Sequence, residues 1–530
     1  MKRILSQSSP ADGVGAAFKK PADALYDPVC GEGRYILTPS PSPKPRINGP
    51  SVFGVRPGAP FFYSIPATGI KPMRYDVEGL PLGLQVDRAT GLVSGKITDL
   101  KPREYAVTLH AENRVGKADR QFTIVVGDTI CLTPPMGWNS WNCWGVAVNQ
   151  QHVLDSAVAM ASKGLKDFGW SYVNIDDAWQ GKRGGKHLAI QPDPSTFPDL
   201  ARVCAEIHAM GLKVGIYSSP WITTYAGRIG GSSDHESGWW NQDACAPHDY
   251  RETKRFYRVG RYRFDENDAA QWAEWGIDYL KYDWHPNDPE STLCMAEALQ
   301  NCGRDIVYSL SNSAPLEHAD IFARVANCWR TTFDLKDRWD QPGPHQNVME
   351  QWAAHRKWME NGFRGGPGHF PDADMLVVGN VGTSTTEPSG LRPSRLTADE
   401  QYSHLSLWVL WSCPLLIGCP IETMDDFTLN LLTNADVLEV HQDAAAVPGM
   451  SIGIGEGVEM VVKDLSDGSK AIGLFNTTGQ NQVVSMEWDE VGLKGPRRIR
   501  DLWRQQDIGV FDERFLANVR PHGVVLVRSY

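Results

Sequence analysis

Hydrophobic and polar residues follow three different patterns along this chain, and each pattern predicts a different architecture. From about residue 51 to 128, alternating or β-branched runs such as FFYSI and QFTIVVG are separated by turn residues, which predicts a small β-sandwich. Between about 129 and 445, short apolar runs alternate with helix-length segments, which predicts repeated β-α units. From about 446 to 530, β-rich runs return with turns at SDGS and TTGQ, and they indicate a third, antiparallel domain.

The first 50 residues have a different composition from the rest of the chain. They are rich in Ser, Pro and Gly and end in PSPSPKPRINGP, which is typical of a tail or a stiff extended linker that wraps or spaces. Residues Met1 to Ser9 contain too few apolar positions for a signal peptide. No apolar run reaches the roughly 18 residues that a membrane-spanning helix needs, so no membrane span is expected.

The central segment contains eight short apolar runs that can be strands. In order, they cover residues 137–142, 172–177, 213–218, 279–283, 305–311, 326–332, 368–376 and 413–419. Eight such strands in about 300 residues predict a (β/α)8 barrel flanked by the two β-domains. The alternative, an open doubly wound sheet, would need a glycine-rich phosphate loop after the first strand, and SWNCWG is not one.

Composition narrows the possible functions. The chain has 52 Lys and Arg against 63 Asp and Glu, a formal net charge of −11 without a basic stripe, which argues against nucleic acid and anionic membranes as partners. Its ten cysteines form no C-x-x-C pair and no zinc-like spacing with histidine, so we expect buried thiols and no metal. The 19 tryptophans, 17 of them between Trp138 and Trp411, indicate both large cores and aromatic platforms for flat ligands.

The ends of the predicted strands concentrate carboxylates and aromatic residues, and chemistry in such a barrel lies at those ends. The residues found there are Trp138, Trp141, Asp176, Asp177, Tyr217, Lys281, Asp283, Ser311, Arg330, Asp334, Asp372 and Asp374. They contain no recognisable Ser-His-Asp order, thiolate nucleophile or histidine cluster, which favours carboxylate chemistry. Two carboxyl groups that face each other across a glycosidic bond suffice for its hydrolysis, and no cofactor is expected.

Five motifs, PPMGWNSWN, NIDDAWQG, YLKYDW, CWRTTFDLKDRW and DADMLVVGN, together resemble glycoside hydrolase family 27, the α-galactosidases and α-N-acetylgalactosaminidases. The likeness covers roughly residues 132–445 and extends into the C-terminal domain. The segment Gly79–Gly95 resembles immunoglobulin-like modules found in front of bacterial glycosidases. The resemblance implies a retaining, exo-acting enzyme that removes terminal α-linked galactose from oligosaccharides or glycoconjugates. Family analogy also suggests a periplasmic or extracellular location.

The family motifs assign two catalytic carboxylates. The resemblance implies Asp283 as the nucleophile and Asp334 as the acid/base. Lys281, two residues before Asp283, would point to the same face and favour the ionised carboxylate, or be anchored in a salt bridge at the barrel mouth. Partial desolvation beside Phe333 is expected to raise the pKa of Asp334. Asp334 as a helix cap and Asp337 as the acid remain alternatives on sequence alone.

The resemblance also implies a set of sugar-binding residues around that pair. Asp176 and Asp177 match carboxylates that hold the 4- and 6-hydroxyls of galactose, although a pair that ends a strand and caps a helix is the alternative. Trp141 matches the family tryptophan on the sugar face, and Tyr217 and Arg330 match residues that contact the ring and its 2-position. Asp372, in FPDADML, matches the Asp of the family's D-P-D-M-L run, although Pro has become Ala373 here, and is implied as a substrate-binding residue.

The segment after the fifth predicted strand departs from the α-galactosidase pattern. Galactosidases of animals and plants have a Cys-Glu-Trp-Pro run there, whereas this chain reads LSNSAP and places Ser311 at the Glu position. Ser311 with Ala314 resembles the α-N-acetylgalactosaminidase version, in which lost bulk makes room for an acetamido group. A β-L-arabinopyranosidase is a further alternative, and a non-catalytic sugar-binding barrel is disfavoured because both catalytic carboxylates are retained.

The connection from Ser219 to about Asn267 is much longer than an ordinary loop between a strand and a helix. Long loops at the catalytic face of a barrel usually shape access to the site. We predict that Trp221, Trp239 or Trp240 in this connection contacts the aglycone side of the substrate. The alternative is a loop that folds back on its own aromatic residues.

Overall fold

Eight parallel strands form a closed sheet at the centre of the computed structural model, which describes residues 19–21, 23–240, 254–363, 365–382, 390–455 and 457–530. They are β1 (Met136–Asn139), β2 (Tyr172–Asn174), β3 (Lys213–Ser218), β4 (Tyr279–Asp283), β5 (Val307–Ser311), β6 (Cys328–Arg330), β7 (Phe370–Asp372) and β8 (Leu415–Ile417). The strands are neighbours in chain order, β1 pairs with β8, and Leu376 pairs with Ile417 to close the ring. The predicted (β/α)8 barrel is confirmed. Most strands are shorter than predicted, because the polar residues after each apolar run leave the sheet.

Helices connect the strands on the outside of the barrel. Among the described residues, those of seven or more residues are Gln150–Ser162, Leu200–Ala209, Asp265–Trp275, Pro289–Asn301, Ala319–Val325, Val348–Glu360, Ala398–Leu410, Asp426–Leu432 and Ala435–His441. Two of them begin with capping boxes, in which Asn347 and Thr397 accept backbone N–H groups three residues on. The Ala398–Leu410 helix is buried at every position except Asp399, because the C-terminal domain covers its outer face. None of the described helices is long and apolar enough to cross a bilayer.

The N-terminal module is a β-sandwich that packs against the bottom of the barrel. Its strands are Arg46–Ile47, Val52–Val55, Phe61–Ser64, Ala67–Thr68, Arg74–Glu78, Leu84–Val86, Leu92–Gly95, Arg103–Asn113 and Gly116–Val126. Arg56 donates through Nε to Asp305 Oδ1 (2.6 Å) and also bonds backbone carbonyls of the preceding turn. The Nζ of Lys213 lies 4.7 Å from the ring centre of Phe53. Because Asp305 and Lys213 lie at the N-terminal ends of β5 and β3, the module covers the face opposite the strand ends.

The C-terminal domain is antiparallel, as predicted. Its strands are Met450–Gly455, Val458–Asp464, Lys470–Asn476, Gln482–Glu487, Arg497–Asp501, Gln506–Phe511, Arg514–Val519 and Val524–Ser529. The short strand Leu25–Tyr26 joins this domain by pairing in parallel with Leu516 and Ala517. The Tyr26 hydroxyl donates to Asp501 at 2.7 Å. The described part of the leading segment is therefore tied to the folded domains.

We expect Arg56→Ala to lower the free energy of unfolding by about 1–3 kcal/mol, because Asp305 loses its charged partner at the interface between module and barrel and keeps only the backbone N–H of residue 56. Both side chains of this pair are only 17% exposed. Thermal or urea unfolding measures the change. Arg88→Ala in the same module is the matched control, since its partner Asp76 and Arg88 are about half exposed and the loss should stay below about 0.5 kcal/mol. Equal losses in the two variants would contradict the interface assignment.

Candidate active site

A cavity of about 500 Å³ opens at the C-terminal ends of the barrel strands. Its wall is formed by Trp141, Asp176, Asp177, Tyr217, Tyr225, Lys281, Asp283, Asn312, Phe333, Asp334, Lys336, His345, Gln346 and Met375. Half of these residues are expected from the sequence. They come from the ends of most barrel strands, so the closed sheet brings together side chains that lie far apart in the chain.

Asp283 ends β4, and only 7% of its surface is exposed. The Tyr217 hydroxyl donates to its Oδ2 at 3.1 Å, while Oδ1 accepts no hydrogen bond within the described residues. Burial raises the pKa of Asp283 from 3.8 to about 7, and the charge of Lys281 opposes that rise. Lys281 therefore acts on Asp283 as predicted, but burial is the stronger effect.

Asp334 lies in the loop after β6 and faces two basic side chains. Arg330 Nη2 is 3.2 Å from its Oδ1, and His345 Nδ1 is 3.9 Å from its Oδ2. Partial burial raises the pKa of Asp334, but the charges of Arg330 and Lys281 outweigh it and hold the pKa below its ordinary value. The predicted rise in pKa is therefore wrong, because Asp334 pairs with a guanidinium rather than facing an apolar wall.

Arg330 at the end of β6 joins the loops that follow β6 and β7. It is 3% exposed, and its Nη1 lies 3.0 Å from Asp374 Oδ1. Asp374 has a left-handed backbone (φ 82°) and accepts the backbone N–H of Leu335 at 2.7 Å. Asp372 supports this turn by accepting the N–H of Asp374 at 2.8 Å. The loop that carries Asp334 is thus fixed by ion pairs and backbone hydrogen bonds.

The pair after β2 forms the opposite side of the cavity. Asp176 Oδ2 accepts from Asn139 Nδ2 and from Lys281 Nζ, both at 2.8 Å. Asp177 accepts the backbone N–H of Ala226 at 2.9 Å, and burial raises its pKa to about 6. A β-hairpin rather than a helix follows this pair, so neither carboxylate is a helix cap. Lys281 is also held in the salt bridge that the sequence left as an alternative.

Four of the predicted binding residues lie behind the cavity wall instead of on it, namely Ser311, Ala314, Arg330 and Asp372. Ser311 Oγ is 3.4 Å from Arg330 Nη1, and Ala314 is 4% exposed. Asn312 takes the wall position after β5, where its carbonyl contacts His285 Nδ1 (3.0 Å) and its side chain hydrogen-bonds Tyr225. The left-handed φ of 82° at Asn312 turns its side chain toward the cavity.

The three tryptophans of the long connection do not line the cavity. Trp221 stacks on Tyr257 with ring centres 4.9 Å apart and contacts Tyr225 edge-on. Trp239 is 57% exposed, and the indole nitrogen of Trp240 is buried. The connection instead contributes the side chain of Tyr225 and the backbone of Ala226, so the described part of this loop folds back on its own aromatic residues.

Seven wall residues were not predicted from the sequence, namely Tyr225, Asn312, Phe333, Lys336, His345, Gln346 and Met375. Phe333 and Lys336 flank Asp334, and Met375 follows Asp374. Their closeness in sequence to predicted residues could therefore have identified them. His345 and Gln346 carry no such signal, because they come from a separate turn that folds onto the Asp334 loop. Among the described residues, no three His, Cys, Asp or Glu side chains are arranged to hold a metal ion.

The chain is similar to proteins of one family over most of its length. A family profile described as "Alpha galactosidase A" matches residues 133–250 and 248–443, and one described as "Alpha galactosidase C-terminal beta sandwich domain" matches residues 455–529. A third, described as "Putative Ig domain", matches residues 44–127.

Individual proteins and structures agree with these matches. The chain is 34% identical over 409 residues to the "Probable alpha-galactosidase" of Dictyostelium discoideum, over 75% of this chain and 92% of that protein. It is 33% identical over 398 residues to the "Alpha-galactosidase" of Oryza sativa subsp. japonica, over 74% of this chain and 83% of that protein. The crystal structure of a "putative alpha-galactosidase" from Bacteroides fragilis NCTC 9343 is 31% identical, with a TM-score of 0.79, and the match covers 94% of this chain and 99% of that one.

The raised pKa of Asp283 predicts that this residue lowers stability at neutral and alkaline pH. Because folding raises the pKa from 3.8 to about 7, the folded protein loses stability as the pH rises through this window. We expect Asp283→Asn to be more stable than the natural protein at pH 8, by up to about 4 kcal/mol, and to differ little at pH 4. Thermal unfolding at both pH values tests this.

Asp337→Asn is the control for that experiment. Asp337 is buried and accepts hydrogen bonds from Arg392 at 2.5 and 3.1 Å, so its replacement should destabilise the protein. If Asp283→Asn is less stable than the natural protein at pH 8, the conclusion that burial of the ionised Asp283 destabilises the fold is wrong.

Proposed function

The chain belongs to the α-galactosidase family, glycoside hydrolase family 27, and from this premise we propose that the cavity at the barrel mouth is its catalytic centre. The protein is a glycoside hydrolase that acts on α-galactosides. The observation that carries the proposal is that Asp283, at the carboxyl end of β4, and Asp334, in the loop after β6, line one cavity at the mouth of the barrel. In the proposal, these two carboxylates perform a double displacement with retention of configuration.

In the first step, Asp283 attacks the anomeric carbon while the bond from that carbon to the leaving oxygen breaks. Asp334 gives its proton to that oxygen, so the leaving group departs as an alcohol. In the second step, Asp334 takes a proton from water, the resulting hydroxide attacks the anomeric carbon, and Asp283 is released as a carboxylate. The Tyr217 hydroxyl and the charge of Lys281 stabilise that departing carboxylate.

In the free protein, the protonation states of Asp283 and Asp334 are the reverse of those that the first step needs. Burial gives Asp283 the higher pKa, while the charge of Arg330 gives Asp334 the lower one. Between these two pKa values the pair carries one proton, and the more populated form holds it on Asp283. The reactive form has the proton on Asp334. In the proposal, a substrate that covers Asp334 and separates it from solvent favours this form.

Asp176 and Asp177 are proposed to select the sugar. Both residues line the cavity, and their side chains are almost fully buried and held by fixed donors, so they have little freedom to move. Carboxylates in such positions accept strong hydrogen bonds from hydroxyl groups and reject sugars that place those hydroxyls elsewhere.

Asn312, instead of the smaller Ser311, lies on the cavity wall, which favours galactose over its 2-acetamido analogue. Nitrophenyl α-galactoside should therefore be hydrolysed faster than the α-N-acetylgalactosaminide. A side-by-side assay that includes the β-L-arabinopyranoside ranks the three sugars.

Azide rescue separates the two carboxylate roles. With α-galactosyl fluoride and azide, Asp283→Ala should form only the β-galactosyl azide, because azide replaces the nucleophile and inverts the centre once. Asp334→Ala should form the α-galactosyl azide from the covalent intermediate. Product configuration is measured by NMR. Formation of the same anomer by both variants would overturn the assignment, and the natural protein treated in the same way is the control.

The pH dependence of kcat/KM tests the shared proton. For melibiose, whose leaving group needs protonation, kcat/KM should fall about tenfold per unit above pH 7, because the pair then loses its last proton. For α-galactosyl fluoride, which needs no acid, kcat/KM should rise up to about pH 7 and then stay level, since only the ionised Asp283 matters. Parallel profiles for the two substrates would show that the pair does not share a proton in this way.

A further inference from the structure

We propose that Phe333 and His345 form a subsite for the leaving group and that this subsite binds a neutral sugar ring. The proposal rests on the proposed role of Asp334. Asp334 gives its proton to the glycosidic oxygen, and the aglycone is attached to that same oxygen. The side chains that surround Asp334 on the cavity wall are therefore those that meet the aglycone.

Phe333 has the properties of a platform for a sugar ring. Its surface is 43% exposed although it lines the cavity, and it is the one large apolar side chain of this exposure that does so among the described residues. Its ring packs against the His285 ring with centres 5.2 Å apart at 61°. This contact fixes one side of the ring. A flat aromatic face buries the C–H groups of a pyranose and so removes apolar surface from water.

The turn that carries His345 is bonded directly to the segment that carries Asp334. Gln346 donates its backbone N–H to the Asp334 carbonyl at 2.9 Å, and its Oε1 accepts the Phe333 N–H at 2.9 Å. Arg338 Nη2 donates to the carbonyls of Pro344 and His345 at 2.8 and 3.0 Å. Phe333, Asp334 and His345 are therefore held as one unit, and their relative positions do not depend on a loop closing.

His345 supplies a polar group on the same side of the cavity. Its Nδ1 lies 3.9 Å from Asp334 Oδ2, which is longer than a hydrogen bond and suits a hydroxyl group that contacts both. Burial lowers the pKa of His345, although the charge of Asp334 opposes this, and the lowered pKa favours the neutral imidazole. A neutral imidazole beside a carboxylate can donate and accept hydrogen bonds, which matches the hydroxyl groups of a sugar.

The long connection is the alternative place for this subsite, because it carries three tryptophans. Trp221 is packed behind Tyr225, and neither Trp239 nor Trp240 lines the cavity. Among the described residues, the exposed aromatic ring next to the acid/base is therefore Phe333, and Trp239→Ala serves as the competing variant in the test.

The test compares a sugar leaving group with a substrate that has none. For melibiose, whose leaving group is glucose, Phe333→Ala and His345→Ala should each lower kcat/KM about tenfold. For α-galactosyl fluoride, kcat/KM should stay within twofold of the natural protein in both variants. Phe333→Tyr keeps the flat ring and should preserve the melibiose rate, whereas Phe333→Leu keeps an apolar side chain without the ring and should lose it. Unfolding temperatures confirm that the variants are folded.

Two outcomes would overturn the subsite. One is a ratio of kcat/KM between melibiose and α-galactosyl fluoride that stays unchanged in Phe333→Ala and His345→Ala, whether or not both rates fall. The other is a selective loss on melibiose in Trp239→Ala instead. Failure of the proposed function is distinct from both of them, because the natural protein would then hydrolyse neither substrate, or the azide products would not identify Asp334 as the acid/base.

Discussion

The buried guanidinium of Arg330 is the interaction on which the catalytic face depends. It lies between Asp334 and Asp374, which follow different strands, and it is within 3.4 Å of Ser311 from a third. Without its charge, the repulsion between the carboxylates of Asp334 and Asp374 would favour protonation of one of them. Arg330 thus fixes the position of the proposed acid/base and also lowers its pKa. The same contact serves structure and chemistry.

The buried carboxylates of the site destabilise the folded protein, and packing in the rest of the barrel offsets this cost. Asp177, Asp283 and Asp372 are buried, and their pKa values are raised to about 6, 7 and 6 because water is excluded. Such carboxylates persist only where the surrounding scaffold is rigid. Here the scaffold is a closed sheet of buried apolar strands, with most of the chain's tryptophans in the large core around it. The richness in tryptophan therefore reflects packing more than direct contact with sugar, and Trp141 is the one that lines the cavity.

The sequence predicted the barrel because short buried strands are continuous apolar runs, and it predicted Asp176, Tyr217, Asp283 and Asp334 because each ends a strand or follows one closely. It did not predict the side chain that faces the cavity after β5, since that depends on a left-handed φ at Asn312 that no residue pattern encodes. The sequence also could not show that Asp283 has a higher pKa than Asp334, because this difference depends on where Arg330 lies in space. His345 reaches the site through a turn held by backbone hydrogen bonds, and such bonds cannot be inferred from the types of residue in the turn.

The docking of the N-terminal module has a consequence for orientation. Arg56 and Phe53 attach the module to the end of the barrel that lies opposite the cavity. Any support to which the module's outer surface is linked, whether a resin, a second enzyme or a cell envelope, would hold the barrel with its mouth directed outward. Branched galactose-bearing polymers too large to diffuse around the molecule could then still present their chain ends to the cavity.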